Sequence, residues 1–325
     1  MTPYEDLLYS MAQADERIVV MTAENRAAIR ALPHHLGNRF IDVGICEQTL
    51  LGAAAGLALR GRRPVVHALA AFLTMRGFEF IRTDIGIANL PVILVGAVPG
   101  LLSDGNGPTH QAIEDVALMR AIPQMKVVAP ADENELLQAI PEALKSEGPC
   151  YIRYYDGPCK HTHLDRYNFG VAEVHGSRRA DVVIATYGML VAEALEARVL
   201  LEAAGITVTV LNMRTVVPLD EQAILQAAAQ SKLLVLLEDH FEVGGLYSAV
   251  CERLVGEQVR ANILPLNLKN RWFRPGLLKD VLSESGFSAQ RVASTILQHL
   301  EKQHGELSIR TTAVSKHSAV TDTLG

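Results

Sequence analysis

The sequence predicts an α/β protein of two domains, each a mostly parallel sheet flanked by helices, and three observations carry that expectation. Short β-branched runs alternate with longer segments of helical period, as βαβ units require. The apolar runs lack polar alternation, which suits strands buried on both faces. The pattern also breaks once, near the middle of 325 residues, and then resumes, so the length divides into two ordinary cores.

In the first half the strand-like runs are RIVVM from Arg17, then PVVHAL, PVILVGAV, MKVVAP and CYIRYY. Between them EQTLLGAAAGLALRG, FLTMRGFEFIRTDIGIAN, HQAIEDVALMRAI and DENELLQAIPEALKSEG read as helices. The last opens on acids, which suit the positive end of a helix dipole. From Asp156 to Arg179 prolines, glycines and histidines mix without a sustained apolar period, and the segment reads as a linker. DVVIATYG, ITVTVLNM and KLLVLLEDH then read as strands, with helices through LVAEALEARVLLEAAG, from Asp220, and through GGLYSAVCERLVG. The expected division is a first domain over 1–157, a linker over 158–179, a second domain over 180–303 and a frayed tail over 304–325.

Bulk properties exclude several partners. A net charge of −6 and a pI near 6.0 leave no basic footprint for nucleic acid or an anionic membrane surface. No window approaches the roughly 18 apolar residues that span a bilayer, and the expected location is the cytoplasm. Cys46, Cys150, Cys159 and Cys251 show no CxxC spacing, so neither a zinc knuckle nor a disulfide framework is expected, only reduced thiols. No metal ligand is assigned on this chain.

Four places carry candidate chemistry. Glu47 stands where an apolar strand-like run enters a helix rich in alanine and glycine. It serves that helix's dipole, or it is a buried acid that shares a proton with a ring nitrogen. Phe72, Met75 and Phe78 recur every third residue at the start of a helix, a spacing that suits core packing or a grip on a flat aromatic ligand. The stretch DGNGPTHQAIED follows a strand end, where open α/β sheets bind ligands. Its His110 is expected beside the first turn of a helix, and Gly100, Gly105 and Gly107 let the backbone approach a small molecule or simply turn. Arg153 ends a buried strand at the same sheet edge, placed to fork onto a carboxylate or phosphate, or to pair with Asp156.

GICEQ, AFLTMRGF, GPTHQAIEDVALMRAIPQMKVVAPADENE and YIRYYDGP, in that order, resemble the pyrimidine-binding domain of transketolase-type thiamine diphosphate enzymes. DVVIATYGMLVAEALEA, ITVTVLNMRTVVPLD and LLVLLEDHFEVGGLYSAV are similar to the C-terminal domain shared by transketolases, deoxyxylulose phosphate synthases and 2-oxoacid dehydrogenase β subunits. The resemblance implies that Glu47 pairs with N1′ of the cofactor's aminopyrimidine, that Phe72 stacks on that ring, and that Met75 and Phe78 complete its pocket. It gives His110 and Asn106 to the sugar's carbonyl and hydroxyls, and Arg153 to the far end of the substrate channel.

Departures bear on the substrate. Transketolases carry a histidine near the end of the strand that here reads LVGAVP, where Val98 and Pro99 stand, and Asn106 replaces an aspartate. Deoxyxylulose phosphate synthases carry an arginine where Met75 stands, which counts against that activity. The GDG and asparagine pair that holds Mg²⁺ and the diphosphate does not precede Glu47. The chain therefore reads as the C-terminal subunit of a split transketolase, transferring a two-carbon ketol unit from a ketose to an aldose. Its partner is an N-terminal subunit carrying the diphosphate domain and the Mg²⁺ ligands, in an α2β2 assembly with self-dimerisation. The competing readings are a 2-oxoacid dehydrogenase β subunit, a deoxyxylulose phosphate synthase-like enzyme and a noncatalytic scaffold subunit.

Overall fold

Strands β1 (Ile18–Thr22), β2 (Phe40–Asp42), β3 (Arg63–Leu69), β4 (Ile93–Ala97), β5 (Lys126–Val128) and β6 (Cys150–Tyr154) come from the first half of the chain. The second half supplies β7 (Glu173–His175), β8 (Val182–Thr186), β9 (Val208–Asn212), β10 (Thr215–Val217), β11 (Leu233–Leu237) and β12 (Ile263–Leu266). The computed structural model describes residues 1–102, 106–177 and 179–303, so the expected tail lies outside the described residues. One sheet runs β10-β5-β6-β4-β3-β1-β2 and the other β12-β11-β8-β9-β7. Neighbours are parallel except β10 on β5 and β7 on β9. Every residue of β1, β4, β6, β8, β9 and β11 is buried, which accounts for apolar runs without alternation.

Several elements depart from the sequence reading, among them β12 and the helices Leu32–Leu36 and Leu278–Ser285, which it did not name. Strand β10 belongs to the second half of the chain yet completes the first sheet, so the halves interleave. Glu173–His175, read as linker, is the edge strand of the second sheet. Pro3–Ala14 forms a helix whose signal lies in its first residues: Thr2 and Glu5 make a reciprocal capping box and Pro3 opens the first turn.

Two expected helices are also altered. The 72–89 segment winds as π-helix over Phe72–Arg76, α-helix over Phe78–Phe80 and π-helix again over Ile81–Gly86. The run from His110 to Ile122 is helical only over Asp115–Arg120. The cause is upstream: Ala112 bridges Pro99, and its carbonyl accepts from the Gly100 N–H at 2.9 Å, which holds 110–112 out of helical geometry. Among the described residues no helix is long and apolar enough to cross a membrane.

His67 on β3 is fully buried between Tyr4 and Tyr154, and among the described residues neither ring nitrogen has a hydrogen-bond partner. Burial lowers its pKa to about 4. Since the folded chain refuses a proton that the unfolded chain accepts, this stability is complete above about pH 6.5 and is lost as pH falls towards 4. The predicted loss is about 3 kcal/mol across that window. Denaturation of the wild type and of His67→Leu at pH 7 and pH 4.5 measures it: the gap should move in the variant's favour at acid pH, and parallel behaviour would contradict the assignment.

Candidate active site

After β2 the chain turns through Gly44, whose φ is +73°, and enters the Glu47–Leu59 helix with Glu47 as its first residue. That position suits a carboxylate, because unpaired N–H groups there carry partial positive charge. Glu47 is only 2% exposed, and its Oε2 accepts from Arg76 Nη1 at 2.9 Å. Among the described residues Oε1 accepts no hydrogen bond. Leu50 and Leu51 of the same helix are fully buried, whereas Ile45, just before it, is 69% exposed.

In front of Glu47 lies a cavity of about 170 Å³, walled by Phe72, Ala23, Asn25, Ile45 and Leu69. Asn25 Nδ2 is buried beside it without a hydrogen-bond partner among the described residues. The Arg76 guanidinium stacks 4.4 Å above the Phe72 ring, and the His110 ring meets that ring edge-on at 5.1 Å. Glu47, Arg76, Phe72 and His110 thus form one continuous run of contacts. Arg76 went unassigned in the sequence, although it lies four residues after Phe72, the spacing at which helical side chains meet.

The other two members of the expected aromatic grip are not in that run. Met75 is 36% exposed, and Phe78 packs against the buried core of the first sheet. The wider π winding explains this, since a spacing of three no longer keeps side chains on one stripe. His110 caps a short 3-10 turn over Gly107–Thr109 and contacts Thr109 Oγ1 through Nδ1 at 2.9 Å. It lies ahead of the helix start at Asp115, so the expected placement beside a helix N-terminus is corrected. Asn106 is exposed at the head of the same turn, and Gly105 lies outside the described residues.

Gly100 and Gly107 approach the protein's own second half. A Cβ at Gly100 would stand 1.7 Å from Asp239 Oδ2, and one at Gly107 would stand 2.4 Å from Pro275. Val98 sits between strand and loop at φ +57°, a strained conformation for a β-branched residue.

Arg153 requires a correction. Its side chain is 4% exposed and engaged by two carboxylates: Nε donates to Asp115 at 2.9 Å, and Nη1 and Nη2 donate to Asp239 at 2.8 and 3.3 Å. Tyr187 lies beneath the guanidinium, and Tyr151 donates a further hydrogen bond to Asp115 at 2.7 Å. The carboxylates raise the Arg153 pKa against the opposing effect of burial. A guanidinium so enclosed clasps the two halves of the chain together, with its carboxylate partners supplied by the protein itself. Asp156, the alternative partner, accepts from Tyr154 instead.

Residues 2–157 match the family described as transketolase, pyrimidine binding domain, and residues 170–292 the family described as transketolase, C-terminal domain. The chain is 34% identical to the 6-deoxy-6-sulfo-D-fructose transketolase subunit SqwH of Clostridium sp. (strain MSTE9), over 93% of this chain and 94% of that protein. It is also 34% identical to the 1-deoxy-D-xylulose-5-phosphate synthase of Synechococcus sp. (strain JA-3-3Ab), over 94% of this chain but only 48% of that protein. The chain therefore spans about half the length of that relative. A solved structure described as a split gene transketolase, inactive beta4 tetramer, superposes with a TM-score of 0.81 at 32% identity, over 91% of this chain and 95% of that one. The transketolase of Campylobacter jejuni subsp. jejuni NCTC 11168 superposes at 0.77 with 20% identity, over 91% of this chain and 46% of that one, a likeness of fold alone.

The clasp makes a direct prediction. Asp239→Ala strips one carboxylate from a buried guanidinium and should cost about 3–5 kcal/mol in urea denaturation. An unchanged midpoint would show that these charges are not buried together.

Proposed function

The chain belongs to the transketolase family, and from that premise we propose that it is the C-terminal subunit of a split transketolase, moving a two-carbon ketol unit from a ketose to an aldose. The observation that carries this reading is a buried carboxylate, Glu47, facing a ring-sized cavity with Phe72 as its wall. The residues present fit an aminopyrimidine. A cavity of about 150 Å³ takes up a benzene ring, and here it also holds an acid and the unpartnered Asn25 donor.

Thiamine diphosphate, when bound, supplies the carbon nucleophile that breaks and forms the ketol bond. Glu47 holds and exchanges a proton at its carboxylate, against the ring nitrogen of the pyrimidine. Arg76 orients that carboxylate through Oε2 and presses the Phe72 ring into position. Phe72 offers its face for stacking, while His110, held against the edge of Phe72, presents a proton donor and acceptor to the sugar. Asn106 supplies a neutral hydrogen-bonding group on the same loop. Met75 and Phe78, also assigned to the cofactor by resemblance, are left out of the proposal by their placement.

The reading includes a partner chain holding Mg²⁺ and the diphosphate, in an α2β2 assembly. It is supported by the near-complete match to a transketolase subunit against the half-length match to a deoxyxylulose phosphate synthase. A cytoplasmic setting belongs to the same proposal and rests on four free thiols.

With the partner subunit and cofactor, Glu47→Gln should lower ketol-transfer turnover at least about 100-fold while the chain stays folded. Full activity in that variant would refute the proposed role. Pyruvate-dependent acylation of a lipoyl domain by the same assembly would move the function to the 2-oxoacid dehydrogenases.

A further inference from the structure

The linker carries the sequence CKHTH, and its fold brings Cys159, His161 and His163 to two buried carboxylates. His163 Nε2 lies 2.9 Å from Asp132 Oδ2, and its Nδ1 lies 3.0 Å from Glu173 Oε2. Asp132 caps the Glu133–Leu144 helix of the first half through Oδ1, which accepts from the Glu135 N–H at 3.0 Å. Glu173 belongs to β7 of the second sheet. An imidazolium held between two carboxylates accounts for these three side chains. It does not account for the His161 ring, and beside it the Cys159 thiol donates to the His161 carbonyl at 2.7 Å. The Cys159, His163 and Asp132 ligand atoms all fall within 4.8 Å of one another. Both His161 nitrogens are buried without a hydrogen-bond partner among the described residues, and the ring lies 4.6 Å from the His163 ring between centroids.

We propose that Asp132, Cys159 and His163 bind one Zn²⁺ ion, with Glu173 orienting His163 from its other nitrogen. Thiolate, imidazole and carboxylate together form a donor set for zinc rather than for Mg²⁺ or Ca²⁺, which take oxygen ligands. A carboxylate on the distal nitrogen of a ligating histidine is the usual outer support of such a site. The fourth tetrahedral position goes to water. Cys159 binds the ion as its thiolate, and the thiol proton is released to solvent. The ion's ligands come from the helix cap of one domain and the linker, and its support from the sheet of the other, so the ion ties the domain junction. CxxC spacing is absent, and folding replaces it by bringing Asp132 to the CKHTH run.

The test uses the full chain stripped by chelator and titrated with Co²⁺, then with Zn²⁺. One Co²⁺ per chain should bind, giving tetrahedral ligand-field bands and a thiolate charge-transfer band, both removed by Zn²⁺. Cys159 is exposed, so Cys159→Ser should fold; it should lose the charge-transfer band and weaken binding at least about tenfold. Cys46→Ser, at the other exposed thiol, should leave both unchanged. Zn²⁺ should raise the melting temperature of the wild type and not that of Cys159→Ser. Absence of stoichiometric binding would overturn the proposal. So would binding that Cys159→Ser spares and His161→Ala abolishes, which would move the ion to the other face of His163.

Discussion

A guanidinium keeps its charge in a dry interior only when carboxylates are brought to it, and Arg153 receives one from each half of the chain. Asp115 stands at the start of a helix in the first half, and Asp239 follows β11 in the second. Burying three charges is expensive unless their geometry closes. The closure anchors Asp115 at the start of the Asp115–Arg120 helix, beyond the Pro99–Ala112 bridge that delays it. Gly100 has no room for a side chain because Asp239 occupies the space. The joint is reinforced nearby: Arg120 donates to the Gly244 carbonyl at 2.6 Å, and the Ala117 N–H to His240 Nε2 at 3.3 Å. The loop bearing the proposed substrate histidine is therefore positioned from the second domain, which supplies none of the cavity's wall.

The site itself is built on a different economy. Glu47 is buried at the head of a helix, with one ion pair to a partner whose own side chain is 43% exposed. Such a carboxylate is only half satisfied by its own chain. The unpartnered Asn25 amide and the exposed Ile45 beside the same cavity repeat that incompleteness in polar and apolar form. A structure optimised for stability alone would have closed all three. Their coincidence in one cavity is the physical basis for reading the chain as part of a larger active site.

The long, strongly patterned elements were legible in the sequence. Buried parallel strands show as unbroken apolar runs, so β1, β4, β6, β8, β9 and β11 all fall within the regions read as strands or a residue beyond. The shorter strands β7 and β10 carry only three residues each and depend on pairing partners distant in sequence, which no local pattern encodes. Glu47, Phe72 and His110 come together as their order suggested. Met75 and Phe78 separate because a local pattern of three assumes an α-helix, and π turns displace them. Arg153 misled the reading for a general reason: an arginine ending a buried strand looks the same whether its carboxylates belong to a ligand or to another domain. Asp239, 86 residues further on, decides the matter and is invisible locally. The acid and histidine cluster around His163 was hidden in the same way, since it draws on the helix cap, the linker and an edge strand at once.

A structure of the chain assembled with its partner subunit and thiamine diphosphate addresses the central claim most directly. The account predicts the aminopyrimidine ring in the cavity before Glu47, its ring nitrogen within hydrogen-bonding distance of that carboxylate and its face on Phe72. A ring bound elsewhere, with the Glu47 carboxylate bonded only to Arg76, would contradict it.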